Sequence, residues 1–245
     1  MKKILLLFFI FLSLNSSFSQ DINTKFYITG GYTFNFPNAS SVNFIIDRYN
    51  NTRNYLTKKM DNINTLSGTD FSAGAILDLD ESAMLIEGGV TFKNSGTKYA
   101  EGTVSGENFR RDFKVYNFLV DIGFGYLFNY NKPLDYGIGM FVDFGSFTYD
   151  TRIYKTNETP PDYTDISPAN SSALSFTPVA FLNINLNDHF GISVRPYYFA
   201  QILSMDLTDV HTALNPNTWQ NDNASEYNSE TFSGFGVDLK GVISF

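Results

Sequence analysis

The chain has 245 residues, of which 17% are aromatic and 17% are charged, and its formal net charge is −8. So many aromatic side chains exclude intrinsic disorder, and the lack of cysteine excludes disulfides and cysteine-ligated metal sites. A pI near 4.7 argues against nucleic acid as a partner. The length suits one large all-β barrel or two small domains, so the order of the residues has to decide between them.

Residues 1–19 have the three parts of a secretory signal peptide. Two lysines precede the apolar run Ile4–Leu14, and small residues stand at the −3 and −1 positions of a cleavage site before Gln20. The run is too short to cross a membrane as a helix, which takes about 20 residues. We therefore predict that residues 1–19 are a signal peptide and that residues 20–245 form one mature domain.

The mature sequence alternates between apolar residues and small or polar ones, which predicts β-strands with two different faces. In Lys25–Phe34, for example, Phe26, Ile28 and Tyr32 alternate with Tyr27, Thr29 and Thr33. The same pattern recurs through the rest of the chain. The eight predicted strands cover residues 25–34, 71–79, 84–92, 118–128, 136–144, 174–184, 190–198 and 235–245.

The connections between these strands are alternately long and short. The long ones cover 35–66, about 96–112, 150–171 and 204–230, and the short ones cover 80–82, 129–134 and 187–189. Transmembrane barrels have an even number of strands, short periplasmic turns, longer extracellular loops and aromatic girdles at both interfaces. Aromatic residues do gather at the ends of the apolar faces: Phe26, Phe34, Phe92, Phe118, Phe128, Phe190, Tyr198 and Phe245.

This pattern predicts an all-β fold, a closed antiparallel transmembrane β-barrel of eight strands. A soluble β-sandwich also alternates, but it needs an apolar core, whereas the faces opposite the aromatic residues here are polar. In lipid no backbone N–H or C=O group can stay unpaired, so the sheet has to close on itself. Eight strands leave an interior just wide enough to be filled by side chains.

The C-terminal strand ends in Phe245, with Ile243 and Leu239 at alternating positions upstream. This pattern resembles the C-terminal signal that the outer-membrane barrel-assembly machinery reads. With the signal peptide and the eight segments, residues 20–245 resemble small outer-membrane β-barrel proteins of the OmpA/OmpX/OmpW type. The resemblance implies the outer membrane of a Gram-negative cell and contact with its lipid and lipopolysaccharide, and it supplies no catalytic residues.

Six charged residues fall on the predicted inward faces: Glu87, Asp121, Asp143, Arg195, Asp238 and Lys240. Counted from the periplasmic turns, they form two layers, with Glu87, Arg195 and Lys240 in the lower one. They make either a path for protons or ions, or a paired network that satisfies the polar groups of a closed lumen, and we favour the network. Arg195 is predicted to hold it together, because a guanidinium can bridge two carboxylates.

Two prolines, Pro178 and Pro196, lie inside predicted strands, where each removes a hydrogen bond of the ladder. If the turn 187–189 is the centre of its hairpin, the two lie nearly opposite each other and both face outward. This indicates either a weak seam that opens laterally or a β-bulge that bends the wall, and we favour the bulge.

The two histidines, His189 and His211, lie in different connections and lack the Ser and acid spacing of a membrane hydrolase. We therefore predict no enzymatic activity, no cofactor and no metal site. The last loop is acidic and is either a weak Ca²⁺ site or, as we favour, a solvated surface. Its acids are Asp206, Asp209, Asp222, Glu226 and Glu230.

Two of the long connections have structure of their own. In the first, Ser40-Ser41 predicts the cap of a helix that either binds a partner as a lid or only plugs the barrel mouth. Its predicted apolar face contains Val42, Ile45, Ile46, Tyr49 and Leu56. The second, Lys93–Lys114, keeps a strand-like pattern and is predicted to extend the sheet above the membrane, with an edge open to strand addition.

These observations predict a non-enzymatic outer-membrane barrel with a structural or interaction role, either surface contact or membership of an outer-membrane assembly. Its expected partners are membrane lipid, lipopolysaccharide, the barrel-assembly machinery and another outer-membrane or surface protein. The alternative is a narrow channel for small or hydrophobic solutes.

Overall fold

The computed structural model describes residues 23–168, 170–216 and 228–245, so the predicted signal peptide lies outside the described residues. The elements are β1 (Thr24–Pro37), α1 (Ser40–Asn51), β2 (Leu56–Lys58), β3 (Leu66–Asp78), β4 (Ala83–Asn94), β5 (Lys98–Val104), β6 (Glu107–Leu127), β7 (Leu134–Lys155), β8 (Thr164–Asp165), β9 (Ser172–Asn185), β10 (Phe190–Gln201), β11 (Met205–Asp206), α2 (Thr208–Leu214), β12 (Ser229–Glu230) and β13 (Gly234–Ser244). Neither described helix is long and apolar enough to cross a membrane.

Eight of the strands form a closed antiparallel ring in the order β1, β3, β4, β6, β7, β9, β10, β13. The ring closes between the first and last strands, where Phe34 pairs with Val237. At the periplasmic end of this junction Phe26 and Phe245 exchange backbone hydrogen bonds of 3.1 and 2.9 Å. The predicted fold class, an eight-stranded antiparallel β-barrel, is confirmed.

The outward face of the ring is apolar. On β6, for example, Ile122 and Phe124 are 57% and 60% exposed, whereas the inward-facing Leu119 and Leu127 are buried. A continuous apolar band around a whole molecule is not tolerated in water, but it matches the hydrocarbon core of a membrane. The barrel therefore spans a membrane, and its architecture agrees with the predicted outer-membrane location.

Two strands are much longer than predicted and rise above the membrane on one side of the barrel. The β5–β6 hairpin pairs from Lys98 with Phe113 up to Val104 with Glu107. The β6–β7 ladder continues up to the pair of Phe109 with Lys155. The predicted extension of the sheet is confirmed, and β5 together with residues 107–115 and 147–155 is called the wing below.

The short strands β2 and β8 lie at the two edges of the wing. The edge of β5 was predicted to be open to strand addition, but β2 covers part of it, because Leu56 pairs with Gly102 and Lys58 with Glu101. The free edge is therefore shorter than the sequence suggested.

The predicted helix of the first loop is present as α1, and Val42, Ile45, Ile46 and Tyr49 are buried as expected. Leu56 does not belong to its face, since the helix ends at Asn51 and Leu56 lies in β2. With α2, the paired strands β11 and β12, and Phe232 after them, this helix forms the cap over the extracellular mouth. The buried apolar side chains of the cap include Val42, Ile45, Ile46, Met205, Leu207, Val210, Leu214 and Phe232.

Candidate functional site

Glu87 is the centre of a hydrogen-bonded charge cluster in the middle of the lumen. The guanidinium of Arg195 donates to its Oε1 at 2.6 Å, and the Ser72 hydroxyl donates to the same oxygen at 2.7 Å. The Tyr27 hydroxyl donates to Oε2 at 2.7 Å, and Lys240 Nζ lies 3.6 Å from Oε1. A carboxylate that is 1% exposed is tolerated here because donors from four strands surround it.

Lys240 joins the two layers of charge. Besides Glu87, its ammonium contacts Asp70, which also accepts a hydrogen bond of 2.8 Å from Thr91. Arg195 was predicted to be the residue that bridges two carboxylates, and that detail is wrong. Arg195 uses its Nη1 on Glu87 alone, while its Nε donates to the Ser193 hydroxyl at 3.0 Å.

The upper layer surrounds a small polar cavity of about 50 Å³. Its acidic lining includes the three predicted residues Asp121, Asp143 and Asp238. Asp143 accepts hydrogen bonds from the Ser175 and Thr177 hydroxyls at 2.7 and 2.6 Å. A polar space of this size holds a few water molecules. All six predicted lumen charges therefore face one interior, in two layers.

Three residues of this interior were missed in the sequence analysis: Tyr27, Asp70 and Lys93. Asp70 and Lys93 stand one residue outside the predicted strands 71–79 and 84–92, on their inward parity. Extending the alternation by one residue would have found both. Lys93 is 4% exposed and lines the polar cavity, with its Nζ 5.6 and 5.1 Å from the ring centres of Tyr197 and Phe199.

Large aromatic rings also occupy part of the lumen, which the polar appearance of the inward faces did not suggest. Phe141 and Phe181 point inward and are buried. Glycines make room for the Phe181 ring, because a Cβ at Gly139 on the neighbouring β7 would lie 2.7 Å from it and one at Gly125 on β6 would lie 2.6 Å from it. The barrel interior is thus a packed core of charges and rings.

The cap is fastened by hydrogen bonds between its two helices. Arg53, just after α1, donates to the carbonyl of Leu214 at 2.8 Å, and Arg111 of the wing donates to that of Ala213 at 2.8 Å. Both cations therefore lie at the C-terminal end of α2, where a helix carries partial negative charge. Asn215 donates to the Ile45 carbonyl at 3.1 Å and completes the junction.

The N-terminal end of α1 is fastened by Glu230. Its Oε2 accepts the backbone N–H groups of Ser41 at 2.7 Å and Val42 at 3.1 Å. Ser40-Ser41 was predicted to be the cap of this helix. The residue before the helix, Ala39, makes no side-chain capping bond, so the capping group comes from the other end of the chain.

The periplasmic half of the lumen is more open. A vestibule of about 260 Å³ lies between the periplasmic turns and the lower charge layer. Apolar side chains such as Leu85, Leu127 and Phe181 line it, and Arg195 forms its inner end. The charge cluster and the dry cap thus separate this vestibule from the extracellular side.

The ladder between β9 and β10 is interrupted near the two prolines. Among the described residues of these strands, the ladder is continuous up to Val194 with Leu182, has a single pair at Tyr197 with Val179, and resumes at Ala200 with Phe176, but no pair involves Pro178 or Pro196. The register of Tyr197 with Val179 puts Pro196 level with Ala180 and Pro178 level with Tyr198. The two prolines are therefore offset by two residues along the strands, and the prediction that they lie nearly opposite each other is wrong by that offset. Thr177, Val179 and Tyr197, beside this gap, line the polar cavity.

The remaining candidates are dispersed. His189 is exposed at a periplasmic turn, whereas His211 is buried in α2. Among the described residues no group of three His, Cys, Asp or Glu side chains is placed to hold a metal ion. Of the acidic last loop, Asp222 and Glu226 lie outside the described residues, and Glu230 is buried, so the interpretation of that loop as a solvated surface is wrong for Glu230.

Comparisons with known proteins found no matching family model and no match among curated proteins. Solved structures that cover 91% of this chain include the attachment invasion locus protein Ail of Yersinia pestis, with 12% identity, 100% of that chain covered and a TM-score of 0.39. The outer membrane protein OprG of Pseudomonas aeruginosa has 10% identity, 97% coverage and a TM-score of 0.41. Neisserial surface protein A has 6% identity, 99% coverage and a TM-score of 0.36. The fold assignment rests on the strand ring of this chain itself.

Proposed function

We propose that this protein is a non-enzymatic, axially closed outer-membrane barrel that makes contacts at the cell surface through its wing. The observation that carries the proposal is the dry cap over the extracellular mouth. Ile45, Ile46 and Phe232 in this cap are fully buried, and no solute crosses such a core while it stays packed. What the molecule offers to its surroundings is the wing, which stands well clear of the membrane.

Bilayer conductance tests the closed state. We expect purified protein in planar bilayers to show no steady single-channel steps, because both the cap and the Glu87 cluster block the axis. Steps that disappear when Asp121 and Asp143 are changed to Asn would favour the channel and contradict the proposal.

A shortened wing tests surface contact. Ala100 and Arg111 are a ladder pair, so a two-residue Asn-Gly turn can replace residues 101–110 and close the hairpin lower down. Cross-linking on intact cells should then lose a partner that the full-length chain captures. Asp188→Ala, in an exposed periplasmic turn, is the matched control and should retain it. Partners that remain unchanged after shortening would disprove a role for the wing.

The gap between β9 and β10 supports a second candidate, the passage of a small hydrophobic solute sideways through the wall. The chain has no cysteine, so introduced pairs give unambiguous disulfides. Val179→Cys with Tyr197→Cys should lock the gap, and Tyr32→Cys with Leu239→Cys should lock the fully paired junction as a control. Uptake of a hydrophobic dye that only the first lock abolishes would establish this candidate, and equal uptake in both would dismiss it.

A further inference from the structure

Glu230 connects the cap to the strand that completes the barrel. It lies in β12, four residues before β13 begins at Gly234, and its side chain is 5% exposed. One carboxyl oxygen accepts the N–H groups of Ser41 and Val42 in α1, and the other accepts that of Thr231 at 3.2 Å. The Ser41 hydroxyl donates to the Ser229 carbonyl at 2.7 Å beside it. One side chain thus fixes the first turn of α1 to the last loop.

The described surroundings of this carboxyl contain no cation beside it. Among the described residues, no Lys, Arg or His nitrogen lies within ion-pair distance of Glu230. The titratable group that faces it from β7 is Tyr149, a fully buried phenol, and α2 contributes the buried His211 to the same cap. Among the described groups, only these three N–H donors offset the loss of water around an ionised Glu230, and a buried charge without a counterion is costly.

We propose that Glu230 is a pH-controlled latch, which holds α1 over the barrel mouth more tightly in acidic than in alkaline surroundings. The inference concerns the cap and does not depend on what the wing binds.

The direction follows from the environment of the carboxyl. Burial raises the pKa of Glu230 to about 7, although the three N–H groups favour its charged form. The carboxyl of an unfolded or released loop has a pKa of about 4.3. A group whose pKa is raised by folding contributes stability that is fully present below the lower value. That stability is lost as the pH rises through the higher value. The cap therefore loosens as the pH rises from about 4.3 to about 7, and it stays loose at higher pH.

Hydrogen exchange of the full chain, refolded in detergent micelles, tests the latch. Protection of the α1 amides, corrected for the intrinsic rate, should fall at least tenfold between pH 5.5 and pH 8.5. The amides of β1 and β13 serve as an internal reference and should not change. Glu230→Gln, which keeps the shape and cannot ionise, should remove most of the pH dependence.

The quantity compared between the wild type and Glu230→Gln is the change in α1 protection from pH 5.5 to pH 8.5. The test therefore stays valid even if Glu230→Gln loosens the cap at every pH. Glu158→Gln removes an exposed wing-tip carboxyl and should leave the wild-type dependence intact. A wild-type cap whose protection is the same at both pH values would overturn the latch. Dependence that survives in Glu230→Gln would also overturn it and point to His211. Neither outcome bears on the wing, which the cross-linking experiment tests separately.

Discussion

Glu87 illustrates how single residues are held in this barrel. A buried carboxylate costs several kcal/mol unless its lone pairs are satisfied, and here β1, β3, β10 and β13 each supply a donor. The pairs therefore cross the lumen and tie distant strands together. Removing one member leaves a charge that the rest of the cluster cannot compensate.

Arg195→Ala should destabilise the barrel by about 3–5 kcal/mol, because Glu87 would keep its charge and lose its closest cation. The temperature of unfolding in detergent, read from heat-modifiable migration on a gel, measures this loss. Replacing the pair together, with Arg195→Met and Glu87→Gln, should recover most of it. An unchanged unfolding temperature in Arg195→Ala would refute the role of the cluster.

For single residues, the sequence predicted which charged side chains face the lumen better than it predicted which partners they contact. Strand parity placed Glu87, Arg195 and Lys240 in one layer, because the side-chain period of a strand is fixed. It could not predict that Lys240 reaches two carboxylates and Arg195 one, since that depends on the stagger between β10 and β13. Asp70 and Lys93 were missed because the predicted strand 71–79 begins just after Asp70 and the predicted strand 84–92 ends just before Lys93.

Among the elements, the wing is stabilised independently of the membrane. Asp112 on its outer face is fully buried between Arg110 and Arg152, at 2.7 and 2.8 Å. Arg110 also stacks on Tyr99, with its guanidinium carbon 3.8 Å from the ring centre. Hairpins alone are marginal in water, so such cross-strand pairs keep the wing ordered above the bilayer.

Asp112→Asn should loosen the wing and leave the barrel intact. Two charge-assisted hydrogen bonds weaken, which costs about 1–3 kcal/mol locally. Hydrogen exchange of β5 and of residues 107–115 should accelerate, while the temperature of barrel unfolding stays the same. Glu158→Gln at the exposed wing tip is the control. A wing that exchanges as slowly as in the wild type would show that Asp112 does not hold it.

Elements were predictable where the hydrophobic pattern alone decides them. The alternation located all eight strands of the ring, and an apolar helical face after Ser40-Ser41 located α1. It did not give the lengths of β6 and β7, because above the membrane both faces of a strand can be polar and the period weakens. The capping of α1 by Glu230 could not be predicted from the sequence either, because it joins residues that are far apart in the chain.

At the scale of the whole molecule, Phe245 contributes both to closure and to the predicted assembly signal with Ile243 and Leu239. Phe245→Ala keeps the backbone bonds to Phe26 but removes an outward ring that is 67% exposed. We therefore expect efficient refolding in detergent and a several-fold loss of folded barrel in cells, measured in outer-membrane fractions. Phe190→Ala, at the same rim, should leave the cellular yield unchanged. Equal yields for both variants would contradict the signal.

The one-sided wing gives the molecule a front and a back in the plane of the membrane. Of the ring strands in the described part of the chain, β6 and β7 rise far above the bilayer, whereas β1 and β13 end near the exposed rings of Phe36 and Phe235. When the barrel rotates about the membrane normal, its wing points in a different direction within the membrane plane at each moment. A neighbour bound to the wing would stop that rotation and leave the opposite wall in contact with lipid. A single contact would therefore also fix the orientation of the barrel in the plane of the membrane.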